Sequence, residues 1–407
     1  MDEATKELLH ALNADKPTLV EQLHQFCNIN SGSDNLLGLS LMREALKQAF
    51  APLADSIEEL EFPPINTINM NGESQLQPCG NALFIRKRPE LKRRILLSGH
   101  MDTVYRANHP FQSLTYINDN EINGPGVADM KGGLVVINHA LAAFEKLDLS
   151  ADLGWDVLIN ADEEIGSPAS CTLLEKIAEN YQAALIYEPA MTASGTFAKN
   201  RRGSAKMTLV AHGKSSHAGR AFYEGRNAIC HLAEVITSIH ALNRLHNGIT
   251  FNVGKIAGGE ALNMVPDKAV AKIDIRISKP EDVQWVKQQI NNIINSNEAE
   301  GYSLKIEGNF DRPVKRVNPA TERLFANIQE AGQKLGLSLD WQDSGGCCDG
   351  NNLAQLGLPV IDTLGVRGGN IHSEKEFILV DSLIERTALS TLLLINLASG
   401  GLEKLKP

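Results

Sequence analysis

Metal-ligand residue types stand in this sequence where apolar runs stop. Ile95–Gly99 runs into His100-Met101-Asp102, Val157–Ala161 into Asp162-Glu163-Glu164, and Leu185–Tyr187 into Glu188-Pro189. Any one of these could be a solvated turn. Three probable strands that each deliver His or Glu at the carboxyl end point to a shared site, because open α/β sheets bind ligands there. Imidazole and oxygen donors without thiolates suit catalytic zinc, manganese or cobalt. His100 and Asp102, two residues apart, share one side of an extended segment, so the carboxylate could take the imidazole N–H that does not face a metal. Glu163 and Glu164 point different ways in an extended chain. One could bind metal while the other stays free to take a proton from water, the division of labour that a hydrolytic metal site needs.

Two glycine-rich segments add candidates. Gly124-Pro-Gly-Val-Ala-Asp129-Met-Lys-Gly-Gly133 lacks the Gly-Lys-Ser/Thr ending of a phosphate loop and reads as a loop that carries Asp129 inward before a helix. Gly368-Gly-Asn-Ile-His372-Ser373 is a turn ending in His. His231, His240 and His246 lack the i, i+4 spacing of a helical metal pair and read as helix-surface or core residues.

These residues need a scaffold. The spacing predicts helices over 5–27, 38–50 and 133–146, a polar loop over 66–80, and strands at 82–86, 94–98, 155–160 and 183–187. Strands separated by helices give an α/β domain with a mixed, mostly parallel sheet flanked by helices. From about residue 196 the rhythm becomes βαββαβ: strands at 205–210, 249–256, 268–277 and 302–307, with helices at 225–245 and 281–295. That order suits a four-stranded open sheet with two helices on one face. A helix at 320–335, an apolar run at 359–364 and a helix at 381–397 return to the first domain. The expected organisation is a discontinuous catalytic domain, 1–197 and 314–407, with an inserted α+β domain, 198–313.

Composition narrows the class. The chain has 407 residues, net charge −10 and 43% hydrophobic residues. An acidic surface argues against nucleic acid or anionic membrane as partner. The N-terminal stretch lacks the basic start and apolar core of a signal peptide, and six cysteines without a Cys-x-x-Cys pair read as reduced thiols, so a cytoplasmic location is expected.

With these segments aligned, the chain resembles metallopeptidase family 20: the zinc aminoacylases, glutamate carboxypeptidases, and acetylornithine and succinyl-diaminopimelate deacylases. The resemblance spans essentially the whole chain and rests on Ser98–Val104, Gly124–Gly133, Asp162–Gly166, Tyr187–Pro189, Ser215-Ser-His-Ala-Gly219 and Ile371–Ser373. The pattern is most similar to the glutamate carboxypeptidase branch. It implies a dizinc centre, with Co²⁺ or Mn²⁺ as substitutes. Asp129 would bridge, His100 and Glu188 would complete one site, and Glu164 and His372 the other. It further implies Glu163 as general base, Asp102 as the partner behind His100, a cis peptide at Asp129-Met130, and an inserted lid that mediates a homodimer. His217 matches a lid histidine that polarises the scissile carbonyl in the partner's site. Asn263 and Arg276 match residues that hold the substrate's carboxylate.

The expected chemistry is hydrolysis of an N-acyl amino acid or of the C-terminal residue of a small peptide, the family's Glu at position 188 going with carboxypeptidase and deacylase activity. Aminopeptidase or dipeptidase specificity is an alternative, as is an inactive ligand-binding protein on the same scaffold, although such a protein has no need of Glu163. One departure stands out. Ser344–Asn351 resembles a loop near the substrate pocket that usually carries Ser or Thr where Cys348 stands beside Cys347.

Overall fold

The structure, a computed structural model, describes residues 3–405. The chain forms two compact units: Met1–Pro63, Cys79–Asn200 and Lys315–Pro407 make the first, and Pro64–Pro78 with Arg201–Val314 the second.

Unit 1 is built on a six-stranded sheet. Its strands are β1 (Ser56–Leu60), β2 (Ala82–Lys87), β3 (Arg94–His100), β4 (Gly154–Asn160), β5 (Ala183–Ile186) and the two-residue strand Val360–Ile361. The spatial order is β1-β2-β4-β3-β5-(Val360–Ile361). β1 and β2 run antiparallel, as do β2 and β4, while β3 is parallel to both β4 and β5. Every residue of β3 and β4 is buried, as expected for strands covered on both faces. The two faces follow the period of two. Ile95, Leu97, Trp155, Val157, Ile159 and Leu185 join the core beneath the helices Gly132–Phe144 and Asp381–Asn396. Leu96, Leu158, Ala184 and Ile186 pack on the other side with Leu174 and Leu353. Burying one such aliphatic side chain is worth about 1.5–3 kcal/mol before chain entropy is counted.

Because β3, β4 and β5 are parallel and in register (His100 opposite Asn160, Ser98 opposite Ile186), their carboxyl ends lie at one edge. A small antiparallel sheet joins Thr115–Asn118, Glu121–Asn123, Phe377–Leu379 and Gly368–Gly369. The turn holding His372 lies between the last two of these strands.

Unit 2 holds the expected four-stranded sheet, its strands antiparallel. It contains β6 (Gly203–His212), β7 (Thr250–Gly258), β8 (Lys268–Ile277) and β9 (Ser303–Arg312) in the order β7-β8-β6-β9, with helices Ala228–Ala241 and Asp282–Ser296. Alternate residues Ala205, Met207, Leu209 and Ala211 meet Leu232, Val235 and Ile290 in its core.

Three features differ from the sequence reading. Residues 66–80 were expected as a loop of the catalytic domain. Instead Ile65–Ile68 and Ser74–Gln77 pair as a hairpin, and Pro64–Pro78 belongs to unit 2, where Ile68 packs on Val210 and Val270. The hairpin is polar because its outer positions face solvent, and only Ile68 makes the decisive contact. The helix expected over 5–27 is two helices, Glu3–Ala14 and Lys16–Cys27, with Pro17 in the first turn of the second. Proline has no N–H with which to continue the ladder, so the chain restarts there. Finally, Cys348 is a buried helix cap. It precedes Asp349–Gln355, its thiol accepting the Asn351 N–H while Asn351 Oδ1 accepts its own N–H at 3.1 Å. Ser and Thr are the usual caps, so the Cys348 departure falls on a capping role.

Candidate metal centre

Seven side chains expected in the site converge at the carboxyl edge of the unit 1 sheet. His100 ends β3 and is fully buried. Its Nδ1 lies 2.9 Å from the main-chain carbonyl oxygen of Asp102 and 3.4 Å from that residue's carboxylate. The carbonyl is thus the closer acceptor, where the sequence reading gave that part to the carboxylate. Either contact puts the proton on Nδ1 and leaves Nε2 directed into the centre. The Asp102 carboxylate has other partners: it accepts the Ser33 hydroxyl at 2.7 Å and the N–H groups of Glu163 and Glu164 at 3.2 Å each. It therefore fixes the turn Glu163–Ile165 that follows β4. Asp162 braces the same turn from behind, accepting the Ala169 and Ser170 N–H groups and the Ser170 hydroxyl.

Asp129 sits on the loop preceding helix Gly132–Phe144. Gly126 supplies a left-handed φ of 72° and the Asp129–Met130 peptide is cis. The two Asp129 oxygens face different histidines: Oδ1 is 3.1 Å from His100 Nε2, and Oδ2 is 3.3 Å from His372 Nε2. Glu188, just past β5, approaches His100 Nε2 to 3.9 Å, and Glu164 Oε2 lies 3.1 Å from His372 Nε2. One set of donor atoms within 4.8 Å of one another comes from His100, Glu163 and Glu188, and another from His100, Asp129 and Glu164.

The electrostatics follow from this crowding. Burial disfavours charge on His100, but the carboxylates of Asp102, Asp129 and Glu188 outweigh it and raise its pKa well above the usual imidazole value. Asp129 and Glu164 push His372 up to about 11. Burial works to raise Asp129, yet His100 and His372 hold it below the ordinary carboxylate range. Glu164 is raised, by burial first and by the Asp129 charge second. Protons here stand where cations would. The donor set fits a pair of divalent ions. It holds only nitrogen and oxygen atoms, one carboxylate spans two histidines, and Glu164 Oε1 is buried without a hydrogen-bond partner.

The chain matches the peptidase dimerisation domain model over residues 200–301. It is 25% identical to carboxypeptidase G2 of Pseudomonas sp. (strain RS-16) over 402 residues, covering 97% of this chain and 92% of that one. To succinyl-diaminopimelate desuccinylase of Bordetella pertussis it is 29% identical over 293 residues, covering 68% and 76%. Residues 200–301 thus carry a peptidase dimerisation domain, and over nearly its whole length the chain is similar to metal-dependent hydrolases. In fold it is similar to the M20 metallo-carboxypeptidase Sso-CP2 of Sulfolobus solfataricus, with a TM-score of 0.71, 16% identity and coverage of 94% and 99%.

The residues expected in the lid, His217, Asn263 and Arg276, lie in unit 2. His217 and Asn263 are neighbours there: Ser216–His217 pairs with Met264–Val265, and the Ala218 N–H donates to the Asn263 carbonyl at 2.9 Å. His217 Nδ1 accepts the N–H groups of Gly219 and Arg220 at 3.1 and 3.2 Å, which puts its ring proton on Nε2. Arg276, on β8, directs Nε and Nη2 to the two oxygens of Asp274 at 2.7 and 3.1 Å.

One residue of the centre escaped sequence reading. Glu376 is fully buried, and its carboxylate accepts the N–H groups of Gly126, Ala128 and Asp129 and the Tyr105 hydroxyl. The available signal was a glutamate four residues after His372 that opens the apolar run Phe377–Val380.

Proposed function

We propose that this M20 hydrolase cleaves the amide bond of N-acyl amino acids, or the C-terminal amide of small peptides, with a dinuclear zinc centre. The arrangement of Asp129 between His100 and His372, with Glu163 alongside, carries this reading. Asp129 would be shared by both ions, with His100 and Glu188 completing one set and Glu164 and His372 the other. Zinc, with cobalt or manganese as substitutes, supplies Lewis acidity to the amide carbonyl and to the attacking water.

Glu163 takes the proton of the water as it attacks and returns it to the leaving amine. Asp102 holds the Glu163 main chain, so the base is positioned before substrate arrives. His217, its proton on Nε2, is a neutral donor suited to a developing oxyanion. Arg276 offers a planar fork for a carboxylate; its present partner, Asp274, is itself a carboxylate, and a substrate carboxylate would exchange for it. A carboxypeptidase and a desuccinylase among the relatives both support a carboxylate-bearing amide as substrate. The dimerisation-domain match supports a homodimer formed through unit 2.

The test is a panel of N-acetyl, N-formyl and N-succinyl amino acids and dipeptides assayed with added zinc, cobalt or manganese. Chelation should abolish turnover and metal restore it. Glu163→Gln should bind metal normally and lose roughly 10²–10⁴-fold in kcat, the usual worth of a positioned base. Wild-type turnover by that variant would sink the mechanism.

A further inference from the structure

The glycine-rich loop of residues 124–133 presents successive main-chain N–H groups to an anion, and that anion is the chain's own. Glu376 Oε1 accepts from Ala128 at 2.9 Å and from Asp129 at 3.0 Å, while Oε2 accepts from Gly126 at 3.2 Å and lies 2.8 Å from the Tyr105 hydroxyl. The same hydroxyl is 2.8 Å from the carbonyl oxygen of Ser373, next to His372. Main-chain contacts reinforce the link: the Glu376 carbonyl accepts from Gly124 N at 3.2 Å and from Asn123 Nδ2 at 2.7 Å. Glu376 N–H, in turn, donates to Ser373 O at 3.0 Å.

Glu376 thus ties together two segments that are distant in sequence, the loop bearing Asp129 and the turn bearing His372. A solvated turn could place His372 anywhere; here its φ of 61° lies in the left-handed region and the neighbouring Ser373 carbonyl is held by the Tyr105 hydroxyl and the Glu376 N–H. A buried carboxylate saturated by donors from the loop and by the Tyr105 hydroxyl is suited to holding that spacing. We infer that Glu376 is a positioning residue that sets the separation of Asp129 and His372, and so the affinity of the metal site those two share with Glu164. This rests on the dinuclear reading of the centre. The site formed by His100 and Glu188 shares Asp129 but not the His372 turn, so the two ions should respond unequally.

Glu376→Gln is the gentler perturbation. Its amide oxygen can keep the Ala128 and Asp129 N–H bonds, and Tyr105 can turn to donate to Ser373. The Gly126 N–H and the negative charge are lost. Glu376→Ala loses all three loop contacts. Titration of the metal-free proteins with Co²⁺, followed by its visible absorption, should show two equivalents in the wild type. In Glu376→Gln one of the two equivalents should lose about 10-fold in affinity, and in Glu376→Ala about 100-fold, the range expected for partners behind metal ligands. The other equivalent should move less. A purely structural role would lower the melting temperature of the metal-free protein and leave both Co²⁺ affinities alone. If folded Glu376→Gln binds both equivalents within about threefold of wild type, the inference is overturned. Wild-type protein that takes up no Co²⁺ would overturn the dinuclear reading itself, a distinguishable result.

Discussion

Asp102→Asn separates two accounts of the residue behind His100. If its carboxylate chiefly served the imidazole, the substitution would weaken metal binding and leave the rest of the fold alone. The contacts say otherwise. Oδ1 accepts the Glu163 N–H, while Oδ2 accepts both the Glu164 N–H and the Ser33 hydroxyl. An asparagine must place its NH₂ at one of these positions. At Oδ2, Ser33 can turn to accept, and only the Glu164 N–H is orphaned; at Oδ1 the NH₂ would face both the Glu163 N–H and His100 Nδ1. The first choice costs less, about 1–3 kcal/mol for one unsatisfied buried donor. Asp102→Ala orphans both N–H groups, about 2–6 kcal/mol less whatever water recovers in the void, while the Ser33 hydroxyl can turn to the Thr103 carbonyl oxygen 3.5 Å away. Urea unfolding of the metal-free protein should therefore rank wild type above Asn and Asn above Ala. With metal added, a loosened Glu163 should cost roughly 10–100-fold in kcat/KM, as misplacement by about an ångström does. Equal stability of all three proteins would refute the reasoning, and a loss confined to metal affinity would restore the carboxylate–imidazole account.

Metal uptake should release protons. His372 is protonated in the metal-free protein, its pKa pushed up to about 11 from 6.5, and binding a metal requires the neutral ring. Zinc titration in weak buffer at neutral pH should acidify the solution; no acidification would contradict the protonated site. The sign for stability follows. The folded pKa of His372 lies above the unfolded one, so its contribution is complete below about pH 6.5 and lost as pH rises toward 11. The melting temperature of chelated protein should fall across that window, and less so in His372→Ala. Gly133→Ala would drive a methyl into the Tyr187 carbonyl oxygen, between the segment after β5 that bears Glu188 and the helix behind Asp129. It should lower both stability and metal affinity, whereas Gly345→Ala, with open space around it, should be near neutral by the same two measurements.

What was legible in the sequence was whatever local pattern controls. Apolar runs marked β3, β4 and β5, and the rule that parallel strands present ligands at their carboxyl ends brought His100, Glu163, Glu164 and Glu188 together before any coordinates. The α+β insertion was legible because its strands alternate. What stayed hidden depends on pairing between distant segments. The Ile65–Ile68 hairpin has one buried side chain, and its partners Val210 and Val270 lie far along the chain. Asp102 was read beside its neighbour His100, two residues away, because its stronger partners follow β4, some sixty residues on. Glu376 is the sharpest case. The Gly124–Gly133 loop lacks the ending of a phosphate loop, but a glycine-permitted turn with aligned N–H groups still needs an anion. Those donors require an acceptor, since buried main-chain donors are almost never left unpaired. A fully buried glutamate four residues beyond a metal-ligand histidine meets that requirement, and it binds the loop more closely to His372 than any feature of the loop itself could reveal.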